Sequence, residues 1–534
     1  MLYRSSSHRL QKRKNILHKS ESSQQQQQQL AERQRCWKAL YRLNYNWIMG
    51  QARVTTISTK SATCQDHPPS RVVVEVSRLQ DKDRPPPPPI VQFKGPVMLI
   101  AHPNGTLQFW KIKNSFSTTK DTVTAGCTTQ PSLWYTCQYP HPKDTMAQKQ
   151  NVQESSRISC LAMDTSDASA NGSQRVVIGY ESGHFSVVEY SLQDKNGDPS
   201  EGTFQLREIG HTVDLSAWSD VGKIVSVAFR YPILTTCSED DAISIYKLET
   251  DSTATNPQHW CRLLHRLYGS PMESPIGISL EKIKPVSSSL SDTTPHGDDT
   301  WRVLVSFGVE LFSGSWTMRL QEIEFDEHKL LHSTEMGASD YGEGYVPTLS
   351  GLAAFICGKT NGYAEIGSIS AVSISWPLVV TAHRDNTMNV FQMTRSSSVD
   401  QDTTTATEHP TTHSLSNKPN VRKGQLQFRH VSTLYGHCGA VSSVSIESRS
   451  GRLVSASMDR SIKIWTIPAS PHERPLEKPR LHRCSVSLSD IDKSWTESGQ
   501  VTKEEGLGLI WVGSDEEKIV SMNCDGTVKV WQFS

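Results

Sequence analysis

The sequence lacks net charge, long apolar runs and an apolar core near its start. Its 55 basic and 55 acidic residues give a formal net charge of +0 at pH 7, so no overall attraction to nucleic acid or an acidic membrane surface is expected. No apolar stretch approaches the roughly 20 residues that span a bilayer, and the opening residues do not resemble a signal peptide. Basic segments interleaved with aromatic residues are missing too. We therefore expect neither nucleic acid nor a membrane as a partner.

Cysteine pairs and catalytic motifs are also lacking. The 11 cysteines are odd in number and scattered from Cys36 to Cys524 without a Cys-x-x-Cys pair. This pattern predicts reduced thiols in a reducing compartment, hence the cytoplasm or the nucleus. No nucleophile elbow, phosphate-binding glycine loop or His-Glu-x-x-His motif occurs, and the 19 histidines show no ligand spacing. We predict no catalytic residues, no cofactor and no metal.

A short pattern recurs instead, in which two period-two apolar runs flank a polar turn and an aromatic residue usually ends the second run. Each copy is read here as a window of 13 places. The windows are Met98–Trp110, Val176–Val188, Leu234–Tyr246, Val379–Phe391, Leu453–Trp465 and Ile519–Trp531. The segments that start at Thr300 and Ser315 are a distorted seventh copy. The recurrence predicts strand–turn–strand units of a repeat architecture, because such a unit cannot bury both its faces alone.

At Gly436-His437, followed by Trp465, the chain resembles the WD-repeat β-propellers. The resemblance implies an all-β, seven-bladed propeller over residues 90–534, preceded by a short helical segment. In that family a histidine, a strand serine, a turn aspartate and a tryptophan share hydrogen bonds. The matching residues are His437, Ser455 or Ser457, Asp459 and Trp465. Their expected role is structural, since they satisfy buried polar groups around a tight turn.

The resemblance also implies that the turns inside the windows open on one face of the disc. The sixth places of the windows are Pro103, Glu181, Glu239, Arg384, Met458 and Cys524. This mixture of charged and apolar groups suits a peptide or protein partner, and we select Glu181, Glu239, Arg384 and Met458 as candidate contacts. The alternative is a solvated rim that binds nothing.

The N-terminal region divides into two parts. Residues 1–29 are basic and glutamine-rich and are expected to be a disordered tail, although a transit peptide or a nuclear import patch would share that composition. Residues 30–50 show helical spacing of apolar residues. From Cys36 to Gly50 this segment resembles the tail of an F-box, as in F-box/WD-repeat proteins. Residues 1–35 do not contain the Leu-Pro-type opening of that domain. Either such a segment lies further upstream, or the helix is only a brace packed on the propeller.

Residues 51–89 are predicted to be a linker that contains a ring-closing strand. Arg71–Ser77 is the expected outer strand of the last blade, because the window Ile519–Trp531 leaves that blade one strand short. Pro85–Pro89 reads as a stiff spacer. Polar insertions over 113–157, 250–299, 395–423 and 469–500 are expected to be surface loops.

The resemblance to F-box/WD-repeat proteins implies a function. The chain would be the substrate-recognition subunit of an SCF-type cullin-RING ubiquitin ligase, with protein partners that include the target and the adaptor subunit. The alternative is a WD-repeat scaffold for a complex unrelated to ubiquitin. Because only the last F-box-like helix is found, we expect the chain to bind the adaptor poorly.

Overall fold

The structure of the chain is a computed structural model. The structure describes residues 43, 45–47, 49, 52–57, 88–112, 131–138, 157–166, 173–193, 203–212, 222–249, 260–269, 274–283, 299–311, 315–336, 369–395, 426–447, 451–467, 484–489, 508–524 and 526–533. The predicted loops over 113–157, 250–299, 395–423 and 469–500 lie largely outside these ranges, as do the tail 1–29 and the segment Arg71–Ser77.

The described strands form seven four-stranded antiparallel sheets, which are the blades of a propeller. Strand β1 is Arg53–Ile57. Blade 1 contains β2 (Ile90–Lys94), β3 (Val97–Ala101), β4 (Thr106–Lys111) and β5 (Ser132–Gln138). Blade 2 contains β6 (Ile158–Met163), β7 (Gln174–Tyr180), β8 (Phe185–Gln193) and β9 (Thr203–His211). Blade 3 contains β10 (Ile224–Arg230), β11 (Ile233–Ser238), β12 (Ala242–Leu248) and β13 (Cys261–Tyr268).

The remaining blades follow the same order. Blade 4 contains β14 (Ser274–Ile283), β15 (Thr300–Leu311), β16 (Ser315–Phe325) and β17 (Leu330–Met336). Blade 5 contains β18 (Ile369–Ser375), β19 (Leu378–His383), β20 (Met388–Arg395) and β21 (Leu426–Leu434). Blade 6 contains β22 (Val441–Glu447), β23 (Arg452–Ser457), β24 (Ser461–Thr466) and β25 (Cys484–Ser489). Blade 7 contains β26 (Leu509–Ser514), β27 (Lys518–Asn523) and β28 (Val528–Gln532). The all-β, seven-bladed architecture predicted from the sequence is therefore confirmed.

The register of the blades follows the repeat windows. In every window the first and the last place are direct partners of one ladder, as Leu453 and Trp465 are in blade 6. The ladder between the second and third strands ends at the fourth and tenth places in these six blades, as at Ala456 and Ile462. One alternation of apolar residues therefore fixes both the strands and their pairing.

The eighth place of each window has a left-handed backbone. The residues there are Gly105, Gly183, Asp241, Asn386, Arg460 and Gly526, with φ between 59° and 86°. Gly, Asn and Asp adopt this region most readily, and only Arg460 is an unusual occupant. The backbone conformation explains why the turns are short and why their side chains emerge at the same height in each blade.

The ring closes through the N-terminal strand β1, which pairs with β28 as the fourth strand of blade 7. The prediction that Arg71–Ser77 takes this place is therefore wrong. Four of the five residues of β1 are β-branched and favour a strand, namely Val54, Thr55, Thr56 and Ile57. The helix before β1 is already docked beside Phe533, so β1 reaches β28 directly. Around the ring, neighbouring first strands contact each other, and β2 contacts β26.

Apolar clusters fill the space between neighbouring blades, as expected for sheets that bury both faces. Between blades 5, 6 and 7, serines add hydrogen bonds. The Ser442 hydroxyl donates to the Leu509 carbonyl at 2.5 Å. The Ser445 hydroxyl accepts from the Ser514 amide at 3.1 Å. Ser370 bonds the Val441 carbonyl at the matching position one blade earlier. Hydrogen bonds therefore join the first strands of these three blades, in addition to the apolar packing between them.

Blade 4 is the distorted copy, and it carries an extension. The β-bulge in β14 lies opposite Phe307 and Ser306. Ser306 of blade 4 therefore corresponds to the fourth place of the windows in the other blades. The ladder of β15 and β16 then continues for five more pairs, from Phe307 and Arg319 to Leu311 and Ser315. At about 3.4 Å per residue, this two-stranded ribbon extends the blade by about 17 Å.

The N-terminal helix packs against blades 6 and 7. Within its described residues, Leu43 and Trp47 are buried. The Trp47 ring stacks on Phe533, with ring centroids 3.9 Å apart, and its indole N–H donates to the Glu516 carbonyl at 3.0 Å. The Arg452 guanidinium lies 4.2 Å from the Trp47 ring centroid. None of the helical residues described here belongs to a helix long and apolar enough to cross a membrane.

Candidate protein-binding face

We call the turn face the side of the ring where the turn between the second and third strands of each blade lies. In four of the windows the backbone N–H of the sixth place donates to the carbonyl just before the first strand of the same blade. The bonds are Glu181 to Arg157 at 2.9 Å, Glu239 to Lys223 at 2.7 Å, Met458 to Ala440 at 2.9 Å and Cys524 to Gly508 at 3.1 Å. The sixth-place side chains are thereby held next to the innermost strands.

The four candidate contacts all lie on this turn face, in four different blades. Glu239, Arg384 and Met458 are exposed, and 47% of Met458 is accessible. Glu181 is half-buried, and its carboxylate lies 3.4 Å from the Lys223 ammonium of the neighbouring blade. Pro103 occupies the same place in blade 1 and has no N–H to donate. The fold therefore places these residues at the same position of the repeat and on the same face of the ring, but each on a different blade.

Two exposed tyrosines also lie on the turn face and were missed by the sequence reading. Tyr268 ends β13 beside Asp241, and Tyr435 follows β21 directly before Gly436. Their exposed fractions are 71% and 65%. Both lie at the outer end of a fourth strand, outside the repeat window, so the window alone could not have singled them out. A search for aromatic residues at the end of each fourth strand or directly after it would have found them.

The four residues implied by the WD-repeat resemblance are joined by hydrogen bonds in blade 6. The His437 imidazole contacts Ser455 Oγ through Nε2 at 2.8 Å and Asp459 Oδ2 through Nδ1 at 3.1 Å. The Trp465 indole N–H donates to Ser455 Oγ at 2.9 Å. Of the two serines considered, Ser455 joins this chain, whereas the Ser457 hydroxyl donates to the Gly439 carbonyl at 2.8 Å.

Asp459 is the centre of the turn. One carboxylate oxygen accepts from the Ser461 amide at 2.8 Å and hydroxyl at 2.6 Å, and the other accepts from the Cys438 amide at 2.8 Å. Burial opposes ionisation, but the hydrogen bonds from Ser461 and Cys438 and the nearby His437 outweigh it and lower the pKa of Asp459 to about 2. Burial lowers the pKa of His437, an effect that the neighbouring Asp459 only partly offsets. At neutral pH this is an ionised carboxylate beside a neutral imidazole.

Other blades use part of the same arrangement. In blade 7 the Trp531 indole N–H donates to Ser521 Oγ at 3.1 Å, which repeats the Trp465–Ser455 bond. In blade 5 a buried histidine, His383, takes the fifth place instead. Its Nε2 lies 2.9 Å from Thr381 Oγ1 and 3.1 Å from Asn389 Nδ2. These side chains are enclosed by the blade and point to no chemistry. Among the described residues, no group of three or more His, Cys, Asp or Glu is placed to hold a metal.

Comparison with known families matches the propeller directly. The family described as the F-box protein pof12 beta-propeller matches residues 73–400. The chain belongs to this propeller family. The WD domain, G-beta repeat, matches residues 428–466, which contain most of blade 6. Neither match covers the N-terminal helix. The family's WD-repeat β-propeller is a fold that generally serves protein interaction.

Solved structures similar to this chain include two natural proteins and one designed protein. Chaetomium thermophilum Sqt1, bound to the N-terminus of ribosomal protein L10, is 13% identical, with 82% of each chain covered and a TM-score of 0.39. The WD40 β-propeller domain of Doa1 is 10% identical, covering 82% of this chain and 90% of its own, with a TM-score of 0.36. The designed Ika8 protein is 13% identical, covering 84% and 96%, with a TM-score of 0.33. Such distant likenesses carry no argument about function.

Proposed function

We propose that this chain is the substrate-recognition subunit of an SCF-type cullin-RING ubiquitin ligase, working in the cytoplasm or the nucleus and holding a target protein on the turn face. The observation that supports this most is membership of a propeller family named for an F-box protein. The propeller itself performs no chemistry in this proposal. Its contribution is a rigid surface that fixes a target, while other subunits of the ligase transfer ubiquitin.

The position of the helix supports the same proposal. Trp47 docks beside Glu516, in the turn between the first two strands of blade 7, and beside Arg452 at the equivalent end of blade 6. Strands of a blade alternate in direction, so turns between first and second strands lie on the face opposite the turn face. A module joined through this helix would therefore lie on one side of the disc and a target on the other.

A second function, a scaffold unrelated to ubiquitin, is favoured by one observation. Of the helical residues that the structure describes, Leu43 and Trp47 are buried in the cluster between blades 6 and 7, whereas Tyr45 and Met49 are exposed. A standard interface buries about 800 Å² on each partner. The exposed Tyr45 and Met49 of this helix offer less area than that, and we expect residues 1–534 to bind the adaptor more weakly than micromolar.

The two functions are separated by the lifetime of the bound proteins. The chain is expressed in cells with an affinity tag, and co-purifying proteins are identified and their half-lives measured with and without the chain. A ligase receptor, or a fragment that competes with one, changes the half-life of its target, and proteasome inhibition removes the change. A scaffold leaves the half-lives unchanged, and that result would overturn the ligase proposal.

The binding face is tested in the same experiment by Arg384→Glu. The side chain is exposed at the sixth place of blade 5, and a guanidinium can grip a carboxylate or phosphate through two parallel hydrogen bonds. The expected result is loss of the target. Lys282→Glu, an exposed residue near the end of β14 on the opposite face, is the control with the same change in net charge. Retention of every partner by Arg384→Glu would show that the turn face is the wrong face.

A further inference from the structure

The turn of blade 3 concentrates negative charge. Three carboxylates follow one another there, at Glu239, Asp240 and Asp241, and Glu239 and Asp240 are exposed. Burial first and the neighbouring Asp240 second raise the pKa of Asp241, and the nearby Arg319 offsets this only in part. The carboxylates therefore crowd one another, which is the electrostatic signature of a site that attracts cations.

Few cations on that side of the face balance these carboxylates. Lys223, which precedes the first strand of blade 3, pairs with Glu181 of blade 2 at 3.4 Å. Arg157 is exposed, but it precedes the first strand of blade 2, one blade away. Arg319 of blade 4 pairs with Glu335 at 3.4 Å. Blade 3 therefore presents a surface that is acidic on balance.

Blades 5 and 6 present the opposite charge. Arg384, Arg460 and Lys463 lie at or beside their turns. The two acids of these turns accept hydrogen bonds from their own turn, Asp385 from the Thr387 amide at 3.0 Å and Asp459 from four donors. Three cations against two carboxylates leave the described turns of blades 5 and 6 with a small positive balance of charge.

Apolar contact area accompanies both charged patches. Tyr268 stands beside the acidic turn of blade 3, and its neighbour Gly269 donates its amide to the Asp241 carbonyl at 2.8 Å. Tyr435 and Met458 stand beside the cations of blades 5 and 6. Exposed tyrosines give a large contact area for little lost side-chain entropy and are enriched in binding sites. The ribbon of blade 4 rises between the two patches.

We infer that the turn face binds an extended protein segment whose two ends carry opposite charge. Basic residues of the segment lie over Glu239, Asp240 and Asp241, and acidic residues with an apolar neighbour lie over Arg384, Arg460 and Met458. This rests on the proposed use of the turn face for protein binding and names the chemistry of the partner. Complementary patches of this kind set the direction in which a segment lies and reject segments of uniform charge.

The test uses synthetic fluorescent peptides and the full chain, with binding followed by fluorescence polarisation. One peptide joins a run of glutamates through Leu-Ser-Gly to a run of lysines, and a second has the same composition with alternating charges. The block peptide is expected to bind at least about tenfold more tightly, because only it satisfies both patches at once. Added salt weakens this binding, since the contacts lie on the surface.

Two variants locate the binding. Arg384→Glu and Glu239→Lys are each expected to weaken the block peptide about tenfold, whereas Lys282→Glu and Glu249→Lys, with the same charge changes on the opposite face, leave it within about twofold. Equal binding of the two peptides, no binding of either, or equal effects of the two pairs of variants would overturn the inference. Half-lives of cellular partners are measured separately, so failure of the ligase proposal and failure of this inference give different results.

Discussion

Replacing Asp459 by alanine tests whether the hydrogen-bonded turn of blade 6 holds the fold or serves a partner. The carboxylate accepts four hydrogen bonds, from Ser461 N and Oγ, Cys438 N and His437 Nδ1. Alanine leaves those donors without this acceptor. The His437 side chain is fully buried, with a side-chain exposure of 0%, and after the change its Nδ1 keeps only the Ser461 hydroxyl, 3.1 Å away, as a partner.

The expected cost follows from the groups left behind. A buried donor that loses its partner costs about 1–3 kcal/mol, and bonds to an ionised acceptor lie in the upper part of that range. The amides of Cys438 and Ser461 are less enclosed and add less. We expect Asp459→Ala to lower the free energy of unfolding by about 2–3 kcal/mol, seen as a lower melting temperature by circular dichroism.

Asp385→Ala is the matched comparison within the chain. Asp385 accepts from the Thr387 amide and hydroxyl in the turn of blade 5, at 3.0 and 2.6 Å, and Nε2 of His383, the histidine of that blade, contacts Thr381 and Asn389. Its replacement should therefore lower the melting temperature less. An unchanged melting temperature for Asp459→Ala, together with loss of a bound partner, would refute the structural role and make Asp459 a contact residue.

Three further predictions follow from the packing. Trp47→Ala removes the stack on Phe533 and should cost about 3–5 kcal/mol of helix docking, measured as faster proteolysis of the helix. Ile57→Asp places a charge in the cluster between blades 7 and 1 and should open the ring, measured as a larger radius of gyration by small-angle X-ray scattering, whereas Val54→Asp on the same strand should not. The free energy of unfolding should fall in two steps as the pH is lowered. The pKa of His437 is lower in the folded chain than its ordinary value of 6.5, so below pH 6.5 protons bind preferentially to the unfolded chain. The same holds for Asp459 below its ordinary pKa of 3.8. His437→Gln should make the first step smaller without abolishing it, because burial also lowers the pKa values of His102, His184 and His430. A first step of unchanged size in His437→Gln would show that His437 does not contribute to it.

The repeat windows could be read from the sequence because they depend on local rules. Apolar alternation sets the two strands, and one polar turn between them sets the register, so the first and last places pair without further information. The distorted copy in blade 4 was also located, but not its length. Nothing in the alternation tells where a ladder stops when both strands continue to pair, as they do up to Leu311 and Ser315.

The closing strand was misplaced for a different reason. Arg71–Ser77 has the stronger local strand pattern, whereas Arg53–Ile57 gains its place from the helix docked just ahead of it. Long-range docking of Trp47 on Phe533 is a tertiary effect that no local pattern reports. The same limit applies to the binding face. The repeat alone predicts that Glu239, Arg384 and Met458 occupy equivalent positions on one face. The grouping of charge by blade appears only once the blades are arranged in a ring.

The strand β1 has a consequence for the order of events during synthesis. Ile57 pairs with Val528, so the ribosome makes β1 about 470 residues before its partner. At about 5–20 residues per second, that interval is roughly 24–94 s. For all that time β1 lacks the partner strand of its blade, while the residues of the six blades between the two strands are synthesised. The ring therefore cannot close until β28, the last of the described strands, has been made.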